Sequence, residues 1–158
     1  MADPDCLIRD ADTSEAEPLS RLALRSKAYL GYDAAFLAAC RGELTVTTDM
    51  IVAGEVRVAT RADVLQGLYR LSVSGRAASV ELFYVDPEAI GTGVGRQLWE
   101  DLIVHAAVGG ATRLLIEADP HAEAFYVRMG AVRTGSCPSG SIPGRMLPLL
   151  ELNLRDGT

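Results

Sequence analysis

Three alternating glycines occupy positions 91, 93 and 95 of the 158-residue chain, within Gly91-Thr92-Gly93-Val94-Gly95. Glycine lets the backbone turn tightly and brings bare peptide N–H groups close to a ligand. A strand pattern ends shortly before this segment and a helical pattern begins within it. The N–H groups and dipole of a helix N-terminus favour an anion, so the segment predicts a phosphate or diphosphate site. The alternative is a tight strand-to-helix turn that binds nothing.

Spacing separates three kinds of phosphate-binding loop. A P-loop ends in Gly-Lys-Ser/Thr, whereas Gly95 is followed by Arg96 and Gln97. The dinucleotide fingerprint G-x-G-x-x-G fits Gly91 and Gly93 but finds Arg96 at its third glycine. An antiparallel run of strands also precedes the loop, where a dinucleotide-binding unit begins with a parallel crossover. The P-loop pattern therefore fails, and the dinucleotide pattern fits only in part, which leaves nicotinamide binding as an alternative.

Residues 82–95 resemble the diphosphate loop of the GNAT acyltransferases, whose pattern is Q/R-x-x-G-x-G/A. The match consists of a strand, then Val-Asp-Pro-Glu, the glycines, and a helix. Ile90 stands where the pattern has Gln or Arg, which removes a side-chain donor to phosphate but leaves the backbone amides. Arg96 is expected to supply a compensating charge.

A second match lies downstream, where residues 119–131 resemble the family pattern N-x-x-A-x-x-F-Y-x-x-x-G-F. Asp119 takes the place of Asn, and Ala131 takes the place of Phe. The two motifs occur in the family's order and separation. The resemblance is strongest over residues 80–132, and the order of elements along the whole chain agrees with it.

The resemblance implies an N-acetyltransferase that moves acetyl from acetyl-CoA directly to a primary amine, which we expect to belong to a small molecule. The main chain of residues 83–85 would pair with the pantetheine amides like an added strand. The residues expected to bind the cosubstrate are Phe83, Tyr84, Val85, Ile90, Gly91, Thr92, Gly93, Val94, Gly95 and Arg96. An alternative of another class is a non-catalytic acyl-CoA-binding or regulatory module, which Ile90 favours.

Acetyl transfer to an amine makes three chemical demands. The departing thiolate needs a proton, and Tyr126 aligns with the family's frequent general acid. The carbonyl oxygen needs a donor, which in the family is the backbone amide near Val85. The amine needs a base, for which we expect Glu81, directly or through water; Glu117 and His121 are alternatives. A solvated Glu81 paired with an arginine is the competing interpretation.

The acceptor site is expected from the connection between the first two helices, where Tyr29, Tyr32 and Asp33 cluster near a glycine. Ordinary helix–loop packing is the alternative for these three. Arg145 ends a loop rich in Gly, Pro and Ser and is a candidate to bind a carboxylate or phosphate of the substrate. A solvated hairpin is its alternative.

Composition excludes several classes of protein. Asp and Glu number 21 against 15 Lys and Arg, and the resulting net charge of −6 disfavours binding to nucleic acid. No apolar run approaches the length that crosses a bilayer, and the acidic N-terminus lacks a basic start, so we expect a cytoplasmic protein without membrane contact. Three scattered cysteines and two histidines indicate no metal site.

Period and turn residues predict one mixed α/β domain spanning residues 1–158, with a largely antiparallel sheet that contains a splayed parallel pair. The predicted order is β-α-α-β-β-β-α-β-α-β-β. Predicted strands are 6–9, 56–60, 65–73, 77–85, 113–118, 131–134 and 146–154, and predicted helices are 13–29, 34–42, 94–108 and 121–129. The apolar segment 147–152 is expected to form a sheet edge for a homodimer.

Overall fold

The computed structural model describes residues 4–154. The strands are β1 (Cys6–Asp10), β2 (Val56–Arg61), β3 (Val64–Ser74), β4 (Ala77–Val85), β5 (Arg113–Glu117), β6 (Val132–Pro138) and β7 (Met146–Asn153). The helices are α1 (Ala16–Ala28), α2 (Ala34–Leu44), α3 (Thr48–Val52), α4 (Val94–Val108) and α5 (Glu123–Arg128). Single 3-10 turns occupy Thr13–Glu15, Pro87–Ala89 and Pro120–Ala122.

The seven strands form one mixed sheet in the order β1-β2-β3-β4-β5-β7-β6. Its parallel pair is β4 with β5, where Ala77–Val80 align with residues 113–116. Strand β4 then continues for five residues to Val85. This arrangement confirms the predicted fold class.

Strand β7 lies between β5 and β6, so it is not an edge of the sheet. The expectation that residues 147–152 form an edge for a second copy was therefore wrong. Its apolar composition reflects a strand that is paired on both sides, and Leu150 is fully buried. Strand β6 takes the edge position instead, and most of its residues are exposed.

Contacts group the described residues into two compact units: residues 4–70 with 82–101, and residues 71–81 with 102–154. The prediction of one domain stays a prediction. In the first unit, Leu19 and Leu22 of α1 pack with apolar side chains of β2 and β3. Their three-residue spacing places both on one face of the helix. The core cluster is Leu19, Leu22, Val46, Ile51, Val56, Val58, Leu68 and Leu82.

In the second unit, β5 contributes Leu114 and Ile116, both buried, as alternation along a strand requires. Strand β7 pairs with β5 over five residues, from Arg113 with Asn153 to Glu117 with Leu149. Helix α5 ends before Gly130, whose φ of +102° provides the left-handed stop that the sequence predicts.

Two elements differ most from the predicted ones, whereas the ends of several others shift by up to three residues. The short helix α3 is not predicted, although Thr47 caps it by accepting a hydrogen bond from the Met50 N–H at 3.2 Å. Strand β6 extends to Pro138, so Cys137 lies in a strand and not in the loop before β7. None of the helices in residues 4–154 has the length and apolar character needed to cross a bilayer.

Candidate active site

The glycine loop joins the turn Pro87–Ala89 to α4. Gly91 and Gly93 have φ values of +82° and +90°, a conformation that strains any residue with a side chain. A Cβ placed on either of them would meet no atom of residues 4–154 within 4 Å, apart from its chain neighbours. The two glycines therefore serve the turn and also leave open space above the loop.

The first turn of α4 presents backbone N–H groups beside this space. The N–H of Gln97 donates to the carbonyl of Gly93 at 3.1 Å, which is the first hydrogen bond of the helix. The N–H groups of Val94, Gly95 and Arg96 precede that bond and point out of the helix end. Open space and convergent donors fit the diphosphate of a CoA ester.

Two side chains flank the loop. Ile90 is 52% exposed, so an apolar side chain stands where the family pattern has a polar donor. The exposed Arg96 has Nε 3.9 Å from a carboxylate oxygen of Glu100 on the next turn of α4. Such an exposed pair holds a side chain weakly, which leaves the Arg96 guanidinium able to turn toward an anion.

Asp86 fixes the entry to the loop. Its carboxylate accepts hydrogen bonds from the N–H of Glu88 at 3.0 Å and from Nη2 of Arg25 on α1 at 2.7 Å. Its own N–H donates to the carbonyl of Gln66 on β3 at 2.8 Å. Burial disfavours ionisation of Asp86, but the bonds from Arg25 and Glu88 prevail and lower its pKa. Sequence reasoning missed this role, although an Asp before a Pro is a common helix cap.

Residues 83–85 end β4 and are half-buried. The ring of Phe83 meets Trp99 of α4 edge to face, with centroids 6.2 Å apart, and Tyr84 packs against the core of the first unit. These contacts hold the strand end in place through its side chains. Residues 83–85 and 90–96 both belong to the first unit, and their joint role in binding a cosubstrate stays a prediction.

Tyr126 lies in α5 and is only 5% exposed. Burial, and after it the charge of Asp119, raises the pKa of the phenol well above its usual value. The hydroxyl therefore keeps its proton at neutral pH, as a general acid must.

Asp119 is the centre of a polar cluster in the second unit. Its carboxylate accepts a hydrogen bond from the N–H of His121 at 2.8 Å and lies 3.1 Å from His121 Nδ1. Nη2 of Arg145 is 3.5 Å from its other oxygen. The loop before β7 closes on itself, because the N–H of Ser139 donates to the carbonyl of Arg145 at 2.8 Å. Arg145 thus reaches Asp119 from a shaped loop, and a role toward substrate stays a prediction.

The two carboxylates and the one imidazole considered as the base have different settings. Glu81 is exposed on β4 and accepts a hydrogen bond from the Ser72 hydroxyl at 2.8 Å. The thiol of Cys137 donates to Glu117 at 3.3 Å, and burial, followed by Glu117, raises the pKa of that thiol. His121 is held by Asp119. Glu81 is thus an exposed carboxylate with a hydroxyl partner, and its role as the base stays a prediction.

The three residues predicted to bind the acceptor have different surroundings. Asp33 caps α2 by accepting a hydrogen bond from the Phe36 N–H at 2.8 Å, so its carboxylate has a structural task. Tyr32 stacks on Phe36 with ring centroids 3.9 Å apart, and Nζ of Lys27 lies 5.4 Å from the Tyr32 centroid. Tyr29 is 64% exposed. Lys27 and Phe36 were not predicted, although Lys27 is the chain's single lysine and belongs to α1.

A family model for the acetyltransferase (GNAT) domain matches residues 40–138, which are 99 of the 158 residues. The chain therefore belongs to the GNAT acetyltransferase family, and the predicted family is confirmed. Curated protein sequences give no match.

Solved structures agree in fold. PaiA N-acetyltransferase from Thermoplasma acidophilum, crystallised with coenzyme A, has a TM-score of 0.79 at 16% identity, covering 94% of this chain and 98% of that one. A GCN5-related N-acetyltransferase from Rhodopseudomonas palustris gives 0.77 at 20% identity, covering 97% and 98%. The ribosomal-protein-S18-alanine N-acetyltransferase from Escherichia coli gives 0.69 at 18% identity, covering 94% of each chain.

Proposed function

We propose that this chain transfers acetyl from acetyl-CoA directly to a primary amine of a small molecule. The observation that carries the proposal is the pair of left-handed glycines, Gly91 and Gly93, which opens space beside the first-turn amides of α4. Acetyltransfer and acetyl-CoA follow from the family to which the chain belongs. The small-molecule acceptor is the finer part of the proposal.

When bound, acetyl-CoA supplies a thioester whose carbonyl carbon is open to attack. The N–H groups of Val94, Gly95 and Arg96 hold the diphosphate, which brings two negative charges to the positive end of the helix dipole. The main chain of residues 83–85 binds the pantetheine arm and offers the Val85 N–H to the carbonyl oxygen. Position 90 does not need a positively charged side chain, because backbone N–H groups supply the hydrogen-bond donors to the diphosphate.

Two side chains move protons in this proposal. Glu81 accepts a proton from the substrate ammonium, so that the nitrogen lone pair becomes available for attack. The Tyr126 hydroxyl donates its proton to the sulfur of the departing thiolate, and the proton that the nitrogen loses as the amide forms returns through water to the Tyr126 oxygen. Their settings support these roles, since Glu81 is exposed and Tyr126 is buried with a raised pKa.

The acceptor is bound beside the ring pair of Tyr32 and Phe36, with Tyr29 and Asp33 on the same connection. An excess of acidic side chains favours an acceptor that carries positive charge, such as a diamine. A solved neighbour acts on ribosomal protein S18, so a protein N-terminus belongs in any test of the acceptor. Arg145 is the residue proposed to select an acceptor that carries a carboxylate.

The second candidate is a module that binds acyl-CoA without turnover, and the exposed Ile90 favours it because a family donor is missing there. The deciding experiment measures free thiol released from acetyl-CoA in the presence of diamines, amino acids and a short peptide with a free N-terminus. Amine-dependent release with at least one of them is expected. Calorimetric binding of CoA without any release would replace the enzyme by the module, and failure to bind CoA would contradict both.

A further inference from the structure

A row of polar side chains crosses three neighbouring strands of the first unit. Asp10 on β1 is the Cα partner of Arg57 on β2, and Arg57 is the partner of Tyr69 on β3. Directly paired residues of antiparallel strands project from the same face of a sheet. Nη1 of Arg57 donates to the Asp10 carboxylate at 3.0 Å, so the row is also bonded along its length.

Asp101 of α4 meets this row. Nε and Nη2 of Arg57 donate to its two carboxylate oxygens at 2.8 and 3.1 Å. The hydroxyl of Tyr69 donates to the same carboxylate at 2.6 Å. Tyr69 is fully buried, and burial followed by Asp101 raises the pKa of its phenol, which therefore stays a donor. Three directional bonds from two strands thus converge on one carboxylate of α4.

A second contact brings α4 unusually close to β3. Gly67 lies two residues before Tyr69, on the same face of that strand. A Cβ on Gly67 would stand 2.8 Å from Cδ1 of Leu98 on α4 and 2.9 Å from the carbonyl oxygen of Tyr84. The absence of a side chain at Gly67 therefore allows Leu98, three residues before Asp101, to rest directly on the strand.

The two contacts restrain the helix in different ways. Burial of Leu98 against Gly67 sets the distance between α4 and the sheet, but apolar contact is non-directional and permits sliding. The paired bonds between Arg57 and Asp101 depend on distance and angle, so they fix the position of α4 along its own axis. Asp101 follows Val94 by seven residues, about two helical turns and roughly 10 Å.

We propose that Asp101, held by Arg57 and Tyr69, is a positioning residue for acetyl-CoA. It fixes the place at which the N–H groups of Val94, Gly95 and Arg96 meet the diphosphate. The inference rests on the proposed function, because it assigns a task to side chains remote from the loop that binds the cosubstrate. A shift of α4 along its axis would displace all three N–H groups together.

The test compares Asp101→Asn and Tyr69→Phe with Glu55→Gln. The control breaks a similar bond, since Nε of Arg70, the neighbour of Tyr69 on β3, donates to Glu55 at 2.9 Å. That pair is also partly buried but does not involve α4. Calorimetry gives the Kd for CoA, steady-state kinetics gives KM for acetyl-CoA and kcat, and urea unfolding gives the stability of each protein.

Asp101→Asn is expected to raise both the Kd for CoA and the KM for acetyl-CoA by about tenfold, with a smaller change in kcat. Tyr69→Phe keeps the ring and removes one bond, so it gives a smaller rise in a protein that folds. The variant that combines Asp101→Asn with Tyr69→Phe should raise the Kd by less than the two single effects added as free energies, since both act through one carboxylate. Glu55→Gln loses stability without a change in Kd.

A Kd for CoA that stays within twofold of wild type in both Asp101→Asn and Tyr69→Phe would overturn the inference while the proposed function stands. An equal rise in Kd for Glu55→Gln would also overturn it, because general loosening of the sheet would then be the cause. Failure of the wild-type protein to bind CoA would contradict the proposed function itself and the inference with it.

Discussion

The hydroxyl of Tyr126 lies in a setting that differs strongly from water. It is buried beside the carboxylate of Asp119, and both conditions disfavour a phenolate. A raised pKa makes the phenol a poor base but leaves it protonated throughout the neutral range. The setting therefore suits a proton donor to a thiolate and argues against a role for Tyr126 as the base.

We expect Tyr126→Phe to lower kcat by about a hundredfold, since proton donation is lost while the buried ring is kept. The Kd for CoA and the unfolding midpoint should change little. Steady-state kinetics and calorimetry on the same preparation check both expectations. An unchanged kcat would remove the acid role from Tyr126, and a loss of CoA binding would make it a binding residue instead.

We expect Glu81→Gln to lower kcat/KM by about a hundredfold and to remove the acidic limb of the pH–rate profile, because the amide cannot accept the ammonium proton. The profile is measured at several amine concentrations. Glu43→Gln, an exposed carboxylate on α2, is the matched control and should leave the profile intact. A profile for Glu81→Gln that keeps its acidic limb would move the base to Glu117, His121 or water.

Turn positions that require glycine were easier to predict from the sequence than side chains that depend on distant partners. The tight turn at Gly91 and Gly93 was predicted because a backbone with positive φ favours glycine, which is visible in the sequence. Asp86 and Asp101 were not predicted, since each depends on a partner more than 40 positions away, Arg25 or Arg57, that no local pattern reveals. The carboxylate of Asp33 caps α2, a common use of Asp at such a position, and its role toward the acceptor stays a prediction.

Helices and strands were predicted correctly where the periodicity of apolar residues and the positions of turn residues indicated the same element. Strand β4 has the predicted bounds, because alternating residues and the Ser74-Gly75-Arg76 turn define it. Helix α3 was missed because five residues provide too little periodicity. The extension of β6 to Pro138 was missed because pairing with β7, and not the composition of its own residues, keeps that segment extended.

The hairpin between β2 and β3 stores strain that a substitution can release. Its two loop residues, Ala62 and Asp63, have φ values of 51° and 63°, the combination typical of type I′ turns. We expect Ala62→Gly to raise the free energy of unfolding by about 0.5 kcal/mol. Glycine removes the strain of the left-handed backbone, but it also gives the unfolded chain more conformational entropy, which offsets part of that gain. Urea unfolding measures the net change.

Ala53→Gly provides the control for that substitution. Ala53 ends α3 with a φ of −70°, where alanine is unstrained. Glycine there should lower the free energy of unfolding by up to about 1 kcal/mol. A loss of stability for Ala62→Gly equal to that of Ala53→Gly would show that the hairpin is not strained at this residue.

For the molecule as a whole, ionisable groups predict a plateau of stability with two limits. Asp86 and Glu15 have lowered pKa values. At Asp86 the largest single effect is burial, which raises the pKa, but hydrogen bonds from Arg25 and Glu88 together outweigh it. At Glu15 the largest effect is the hydrogen bond from Arg9, which lowers the pKa. Their stabilisation is complete above the unfolded pKa and is lost as pH falls through the folded pKa. Stability should therefore decline below about pH 4.5.

The alkaline limit has the opposite sign. Tyr69 and Tyr126 have raised pKa values, mainly through burial, so their stabilisation is complete below the unfolded pKa of about 10 and is lost as pH rises above it. Urea unfolding from pH 3 to 11 tests both limits. Asp86→Asn should destabilise the protein at pH 7, and its difference from wild type should shrink as pH falls toward 3. A difference that is constant with pH would contradict the account.

The measurement that tests the central claim most directly is the calorimetric affinity of CoA for the wild type, Gly93→Glu and Gly54→Glu. Both glycines have a positive φ, +90° and +78°, and open space at the Cβ, so the two substitutions impose similar backbone strain. Only residue 93 faces the proposed diphosphate site, where a carboxylate adds steric and charge conflict. The account predicts tight binding by the wild type and Gly54→Glu and no detectable binding by Gly93→Glu. Equal affinities for all three proteins would contradict it.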